Sequence, residues 1–145
     1  MGATTARTKI LVYSDDSTVR AAILSALGTR VSVDLPEHDI SEFATADALR
    51  AVIDASKSGS AADLIILDAE AVPEGGMGVS RQLKDEVFQC PPILLITARP
   101  DDAWLAAWSR ADATVLGPID PFTFANAVAE LLRIPSAAHA HGATH

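Results

Sequence analysis

Apolar runs of strand length recur along this chain, each followed by a stretch with helical spacing, and nothing else in the sequence restricts its fold as strongly. The runs are KILVY (9–13), ISEFA (40–44), DLIILD (63–68), PILLIT (92–97) and ATVL (113–116). Repeated strand-helix units of this kind build a parallel sheet. DLIILD and PILLIT are apolar nearly throughout, which suits central strands covered by helices on both faces. ISEFA alternates instead, as a sheet-edge strand does.

The intervening segments carry helix signals. Asp16 or Ser17 can cap a first helix with Val19, Ala22, Ile23, Ala26 and Leu27 on one stripe, and Gly28 is placed to end it. Residues 29–39 read as a polar connection broken by Pro36 and containing His38. Thr45 can cap a second helix with Ala48, Leu49, Val52 and Ile53 inward. After a flexible turn at GGMG (75–78), Val79, Leu83 and Val87 mark a third. Asp101 or Asp102 can cap a fourth, in which Trp104 and Trp108 lie four residues apart and are expected to pack inward beside Leu105. Asp120 and Pro121 occupy N-cap and N1 positions of a fifth helix with Phe124, Val128, Leu131 and Leu132 on its apolar side. No repeat or linker divides the series. The expectation is one domain over residues 8–134, a flexible N-terminus at 1–7, and a small, polar, disordered tail at 135–145.

Composition narrows the function. With 145 residues, 49% of them apolar, the chain can bury one core. Its formal charge of −8 has no basic cluster to offset it, which argues against nucleic acid and anionic lipid as partners. Cys90 is the single cysteine, so an internal disulfide and a CxxC pair are excluded, and it reads as a packing residue at a strand edge. No signal-peptide core and no run of membrane-spanning length is present, and Ala6 stands where a myristoylation signal needs Ser or Thr. A cytoplasmic protein without direct membrane insertion is expected.

In a doubly wound sheet, ligands bind beyond the carboxyl ends of the strands where strand order reverses. A flavodoxin-like (βα)5 fold, with parallel order 2-1-3-4-5, would make the first and third strands neighbours, so Asp15 and Asp68 would stand side by side. Close carboxylates repel, and an all-oxygen site of Asp15, Asp16 and Asp68 suits Mg²⁺. A carboxylate beside such a cation can accept a phosphoryl group, to which Thr97 could donate a hydrogen bond. No nucleophile-base pair is evident, so the chain is not expected to be an enzyme.

ILVYSDDSTVR (10–20), DLIILD (63–68), ILLITA (93–98) and VLGPIDP (115–121) together resemble the receiver domain of bacterial response regulators, across nearly all of residues 8–133. The resemblance implies that Asp68 is the phosphoacceptor of a partner histidine kinase, that acids after the first strand hold Mg²⁺, and that Thr97 senses the phosphoryl group. It also implies a cis bond before Pro118. Three positions depart from the family pattern. Ser14 replaces one of its two acids, Gly117 its lysine, and Thr114 its switching aromatic residue. A stand-alone receiver with weak or absent phosphorylation switching follows, acting through protein contacts, with Trp104 and Trp108 as candidate interaction residues. The chain is also similar to orphan regulators of mycobacteria and related actinobacteria. That similarity implies a role as an accessory subunit on the cytosolic side of respiratory complex I (NADH dehydrogenase), peripheral to the membrane.

Overall fold

The computed structural model describes residues 7–56, 62–99 and 103–134. Strands β1 (Thr8–Tyr13), β2 (His38–Phe43), β3 (Leu64–Asp68), β4 (Ile93–Thr97) and β5 (Ala113–Leu116) alternate with helices α1 (Ser17–Leu27), α2 (Ala46–Ser56), α3 (Gly76–Glu86), α4 (Ala103–Trp108) and α5 (Pro121–Leu132). The strands form one sheet in the order β2-β1-β3-β4-β5, and every neighbouring pair is parallel. This is the flavodoxin-like arrangement expected from the alternation of apolar runs and helices.

Period-two alternation divides the strand residues between two cores. Ile10, Val12, Leu64, Ile66, Leu94 and Ile96 face α1 and α5, where Ile23, Leu27, Phe124, Val128 and Leu131 meet them. Leu11, Tyr13, Ile65, Leu67, Ile93 and Leu95 face the other way, against Leu49 and Ile53 of α2 and Val79 and Leu83 of α3. Every residue of β3 and β4 is buried because each face of the sheet has its own cover.

The caps act locally and fall where expected. The Thr18 amide donates to Asp16 Oδ1 at 2.8 Å, the Ala48 amide to Thr45 Oγ1 at 3.1 Å, and the Thr123 amide to Asp120 Oδ2 at 2.8 Å. Gly28 ends α1 at φ 56°. The Gly117–Pro118 bond is cis, as is Val72–Pro73.

Several expectations need correction. β2 begins two residues earlier than the alternating pattern suggested, because its pairing with β1 starts at Thr8 and reaches back to His38. His38 is therefore a buried sheet residue. Its backbone amide donates to Thr29 O and its Nε2 lies 2.7 Å from Gly28 O. On α2, Ala48 and Val52 turn outward while Ala46 joins the core, since this helix covers only the sheet margin. Ala22 of α1 is exposed.

The two tryptophans also defy the inward reading: Trp104 is 70% exposed and Trp108 47%. α4 is a single short helix of six residues, and the guanidinium of Arg81 sits 5.5 Å from the Trp108 ring centroid while its Nη1 donates to Trp108 O. That arrangement holds the indole against α3 at the surface. The proposed caps Asp101 and Asp102, the N-terminal segment 1–6, and the tail from 135 onward lie outside the described residues, as does the side chain of Leu105.

GGMG is not the flexible turn expected: Gly75 is the N-cap of α3 and Gly76, Met77 and Gly78 are its first residues, placed there by space. A Cβ on Gly76 would stand 2.7 Å from Asp68 O, and one on Gly75 would stand 2.8 Å from Ala69 O. Both glycines let the start of α3 press against the backbone that carries Asp68.

Candidate functional site

β1 and β3 pair in register from Ile10↔Leu64 to Tyr13↔Leu67, so both strands end at the same edge and their next residues emerge together. Ser14 and Asp68 meet there: the Ser14 hydroxyl donates to Asp68 Oδ2 at 2.7 Å, in a buried contact. The Glu70 amide donates to Asp68 Oδ1 at 2.9 Å. Each oxygen of the Asp68 carboxylate thus has a donor. Ser14 was expected only as the loss of an acid; its hydroxyl instead bridges the two strand ends and also accepts from the Asp16 amide at 3.1 Å.

Asp15 reaches across to the loop after β3, where its Oδ1 accepts the Val72 amide at 3.0 Å. Asp16 is occupied in part with capping α1. Asp15, Asp16, Asp68, Glu70, Thr97 and Gly117 all line one cleft of about 480 Å³. These residues, expected at neighbouring strand ends, share this cleft. Thr97 is buried, and its backbone carbonyl accepts the Gly117 amide at 2.7 Å, which ties the ends of β4 and β5. Thr114 stands exposed on β5, away from this group. Among the described residues that line the cleft there is no lysine or arginine; Arg20 stands beside it, with Nη1 donating to Ser14 O at 2.6 Å.

The loop between β3 and α3 is held from a second side. Tyr13 Oη donates to Glu74 O at 2.6 Å, and Arg50 of α2 grips the Glu74 carboxylate through Nη1 at 2.8 Å and Nη2 at 2.6 Å. Arg50 Nε also donates to Gln82 of α3 at 2.8 Å. The bidentate pair raises the Arg50 pKa and lowers that of Glu74. Burial, with Glu74 and Asp15 adding negative charge, raises the Tyr13 phenol.

Receivers use acids at this edge for Mg²⁺, and the residues present fit that ion poorly. Among the described residues no three His, Cys, Asp or Glu side chains converge as a metal cage. The second family acid is the hydroxyl of Ser14, already spent on Asp68, and Asp15 holds a loop amide. An octahedral oxygen shell would have to come mainly from water.

The sequence reading missed the apolar part of the site. Val19 and Ala22 were assigned to the core stripe of α1; Val19 does pack against the core, and both also wall the cleft with Val72, Ile96, Pro118 and Ile119. The available signal was their place in the first two turns of a helix that starts at the strand ends. Cys90 lies at the other core, partly buried, and burial pushes its thiol up to about 11, which suits packing and not nucleophilic chemistry. No helix among the described residues is long and apolar enough to cross a membrane.

No protein-family model matches the chain. An uncharacterized response regulatory protein of Mycobacterium tuberculosis is 49% identical over 128 residues, which cover 88% of this chain and 93% of that protein; the match is the same in strains CDC 1551 and H37Rv. Its name makes no mention of NADH dehydrogenase, and the accessory-subunit expectation gains no support. Among solved structures, the chemotaxis response regulator CheY4 of Vibrio cholerae superposes with a TM-score of 0.69 at 19% identity, covering 87% of this chain and 99% of that one. Response regulator DrrB, a Thermotoga maritima OmpR/PhoB homolog, gives 0.69 at 20% identity; the match covers 88% of this chain and only 53% of DrrB, about half its length. The bacteriophytochrome response regulator RtBRR gives 0.71 at 19%, with 90% of this chain and 80% of that one covered. A relative of that identity and coverage, together with this strand order and an aspartate at the end of the third strand, places the chain in the response-regulator family, as a receiver domain.

Proposed function

We propose that residues 8–134 form a receiver that acts by contact with another protein, and that phosphorylation of Asp68 contributes little to its state. One observation carries this reading: the cleft keeps Asp68 and Thr97 but has no cationic side chain among the described residues on its walls. A phosphoryl group on Asp68 would meet Asp15, Asp16 and Glu70 without an ammonium to draw it toward β5. Thr114, exposed and small, offers no aromatic ring to relay the event. The contact surface centres on the exposed Trp104 and Trp108, since tryptophan gives large, rigid contact area at interfaces.

The test pairs two measurements. Intact mass after incubation with acetyl phosphate and Mg²⁺ reads phosphoacceptor chemistry. Retention of a partner from cell extract by immobilised wild type, Asp68→Asn and Trp104→Ala/Trp108→Ala reads the contact. The expected pattern is a minor phosphorylated fraction and a partner kept by Asp68→Asn but lost by the double tryptophan variant. Complete phosphorylation, with partner binding lost on Asp68→Asn, would favour the second reading. In that reading a histidine kinase addresses Asp68 with Mg²⁺, and the retained Asp68, Asp15 and Thr97 are what support it.

A further inference from the structure

Both oxygens of Asp68 carry a donor, and the two donors differ in kind. The Glu70 amide on Oδ1, at 2.9 Å, is backbone and comes with the shape of the loop. The Ser14 hydroxyl on Oδ2, at 2.7 Å, is a side chain that the sequence selects. Ser14 is fully buried, whereas Asp68 lines the cleft from which a phosphodonor would approach.

Ser14 is fixed at every polar atom. Its amide donates to Phe43 O at 3.1 Å, and its carbonyl accepts Arg20 Nη1 at 2.6 Å, while Arg20 Nε is held by Glu42 at 3.1 Å. Its Oγ accepts the Asp16 amide at 3.1 Å, which leaves the hydroxyl proton to find an acceptor. Asp16 O lies 3.5 Å away and Asp68 Oδ2 only 2.7 Å, so the proton is directed to Asp68. A hydrogen bond to an ionised acceptor is short and strong, and in a buried place no water competes for it.

We infer that Ser14 is a positioning residue that keeps the Asp68 carboxylate unreactive. To take up a phosphoryl group, a carboxylate oxygen attacks phosphorus, the bond from phosphorus to the leaving oxygen breaks, and the leaving group departs with that electron pair. Negative charge on the carboxylate falls as the new bond forms. The Ser14 bond is therefore strongest before attack and weakens in the transition state, so it stabilises the resting carboxylate and raises the barrier. The absence of a cation on the described walls leaves the incoming phosphoryl oxygens unneutralised; Ser14 acts on the nucleophile instead. This inference rests on the functional reading above, in which Asp68 is a poor phosphoacceptor, and names a residue that makes it so.

The test is the initial rate of phosphorylation by acetyl phosphate, followed by intact mass, for wild type, Ser14→Cys and Ser14→Ala, each in chelator and in Mg²⁺. A thiol is a weaker donor than a hydroxyl, and a methyl group is none. The rate should rise by about two- to fourfold in Ser14→Cys and about tenfold in Ser14→Ala, in both media. A purely structural role would lower the melting temperature of the variants without this graded acceleration. The added mass should vanish when Asp68→Asn is combined with each change. Circular dichroism checks folding, and Ser14→Cys, which keeps the shape of the side chain, carries the test if Ser14→Ala does not fold. Rates unchanged or lower in the variants, an acceleration seen only with Mg²⁺, or added mass that survives Asp68→Asn would each overturn the inference. The functional reading fails separately, on the extent of wild-type phosphorylation and on partner retention.

Discussion

Gly76 and Gly78 are two residues apart at the start of α3 and should respond oppositely to the same substitution. A Cβ at position 76 would lie 2.7 Å from Asp68 O and 3.0 Å from Leu67 Cβ, both parts of a buried strand that cannot retreat. At position 78 it meets nothing within 4 Å. Gly76→Ala is therefore expected to destabilise by about 1–3 kcal/mol through overpacking. Gly78→Ala should stabilise by roughly 0.5–1 kcal/mol through helix propensity. Urea unfolding of the two variants checks the pair. Ser14 supports a second contrast. Its hydroxyl serves Asp68 Oδ2 at 2.7 Å, and Ser14→Asp would set a carboxylate against a carboxylate at that place. The variant should melt lower than wild type in chelator and recover with Mg²⁺, whereas the wild-type melting temperature should respond little to the ion. Thermal unfolding with and without Mg²⁺ decides this.

At the scale of elements, the loop from β3 to α3 is fastened to its neighbours at separate points: Asp68 and Asp15 take its amides, Tyr13 reaches its Glu74 carbonyl, and Arg50 takes the Glu74 carboxylate. Arg50→Ala should cost about 0.5–1 kcal/mol, a modest figure because Glu74 is half-exposed and screened by solvent. It should also speed amide exchange at Val72 relative to the core of β3, as read by hydrogen exchange. Elements were legible in the sequence where one residue acts locally. The capping residues Asp16, Thr45 and Asp120, the β-run of DLIILD and the Asp120–Pro121 helix start needed no knowledge of the rest of the chain. What escaped depended on partners distant in sequence. β2 starts at His38 because Thr8 pairs with it, Trp108 faces out where Arg81 of α3 holds it, and Ala22 is exposed on the wall of the cleft at which α1 begins. The site was readable as acids at strand ends, since topology alone assembles them. The Ser14–Asp68 bond was not, because a hydroxyl in an acid's place reads in sequence only as a missing charge.

For the molecule as a whole, electrostatics sets how stability depends on pH. The formal charge of −8 leaves many acids without a cation, but particular carboxyl groups are well served. Arg133 and Ser32 hold Asp34 far below its ordinary value, Arg110 and Arg81 lower Asp85, Arg50 lowers Glu74, and the Thr123 amide and hydroxyl lower Asp120. A carboxyl group whose folded pKa is depressed contributes stability that is fully present above its unfolded value, near 4, and is lost as pH falls through the folded value. Acidification from neutrality also reduces the repulsion among the unpaired acids, which acts in the opposite direction. The two effects separate by pH. Down to about pH 5 the paired groups stay ionised and the melting temperature should hold level or rise slightly; below about pH 4 protonation of Asp34, Asp85, Glu74 and Asp120 should lower it. These pairs are mostly surface contacts, so the acid loss should shrink when salt shortens the screening length. Melts by circular dichroism between about pH 3 and pH 7, at low and high salt, test the balance. Replacing Arg133 by Ala should make the acid limb shallower, because Asp34 loses the largest cause of its depression and keeps only the Ser32 hydroxyl and a backbone amide. A melting temperature that keeps rising below pH 4 would mean that self-repulsion outweighs every one of these pairs.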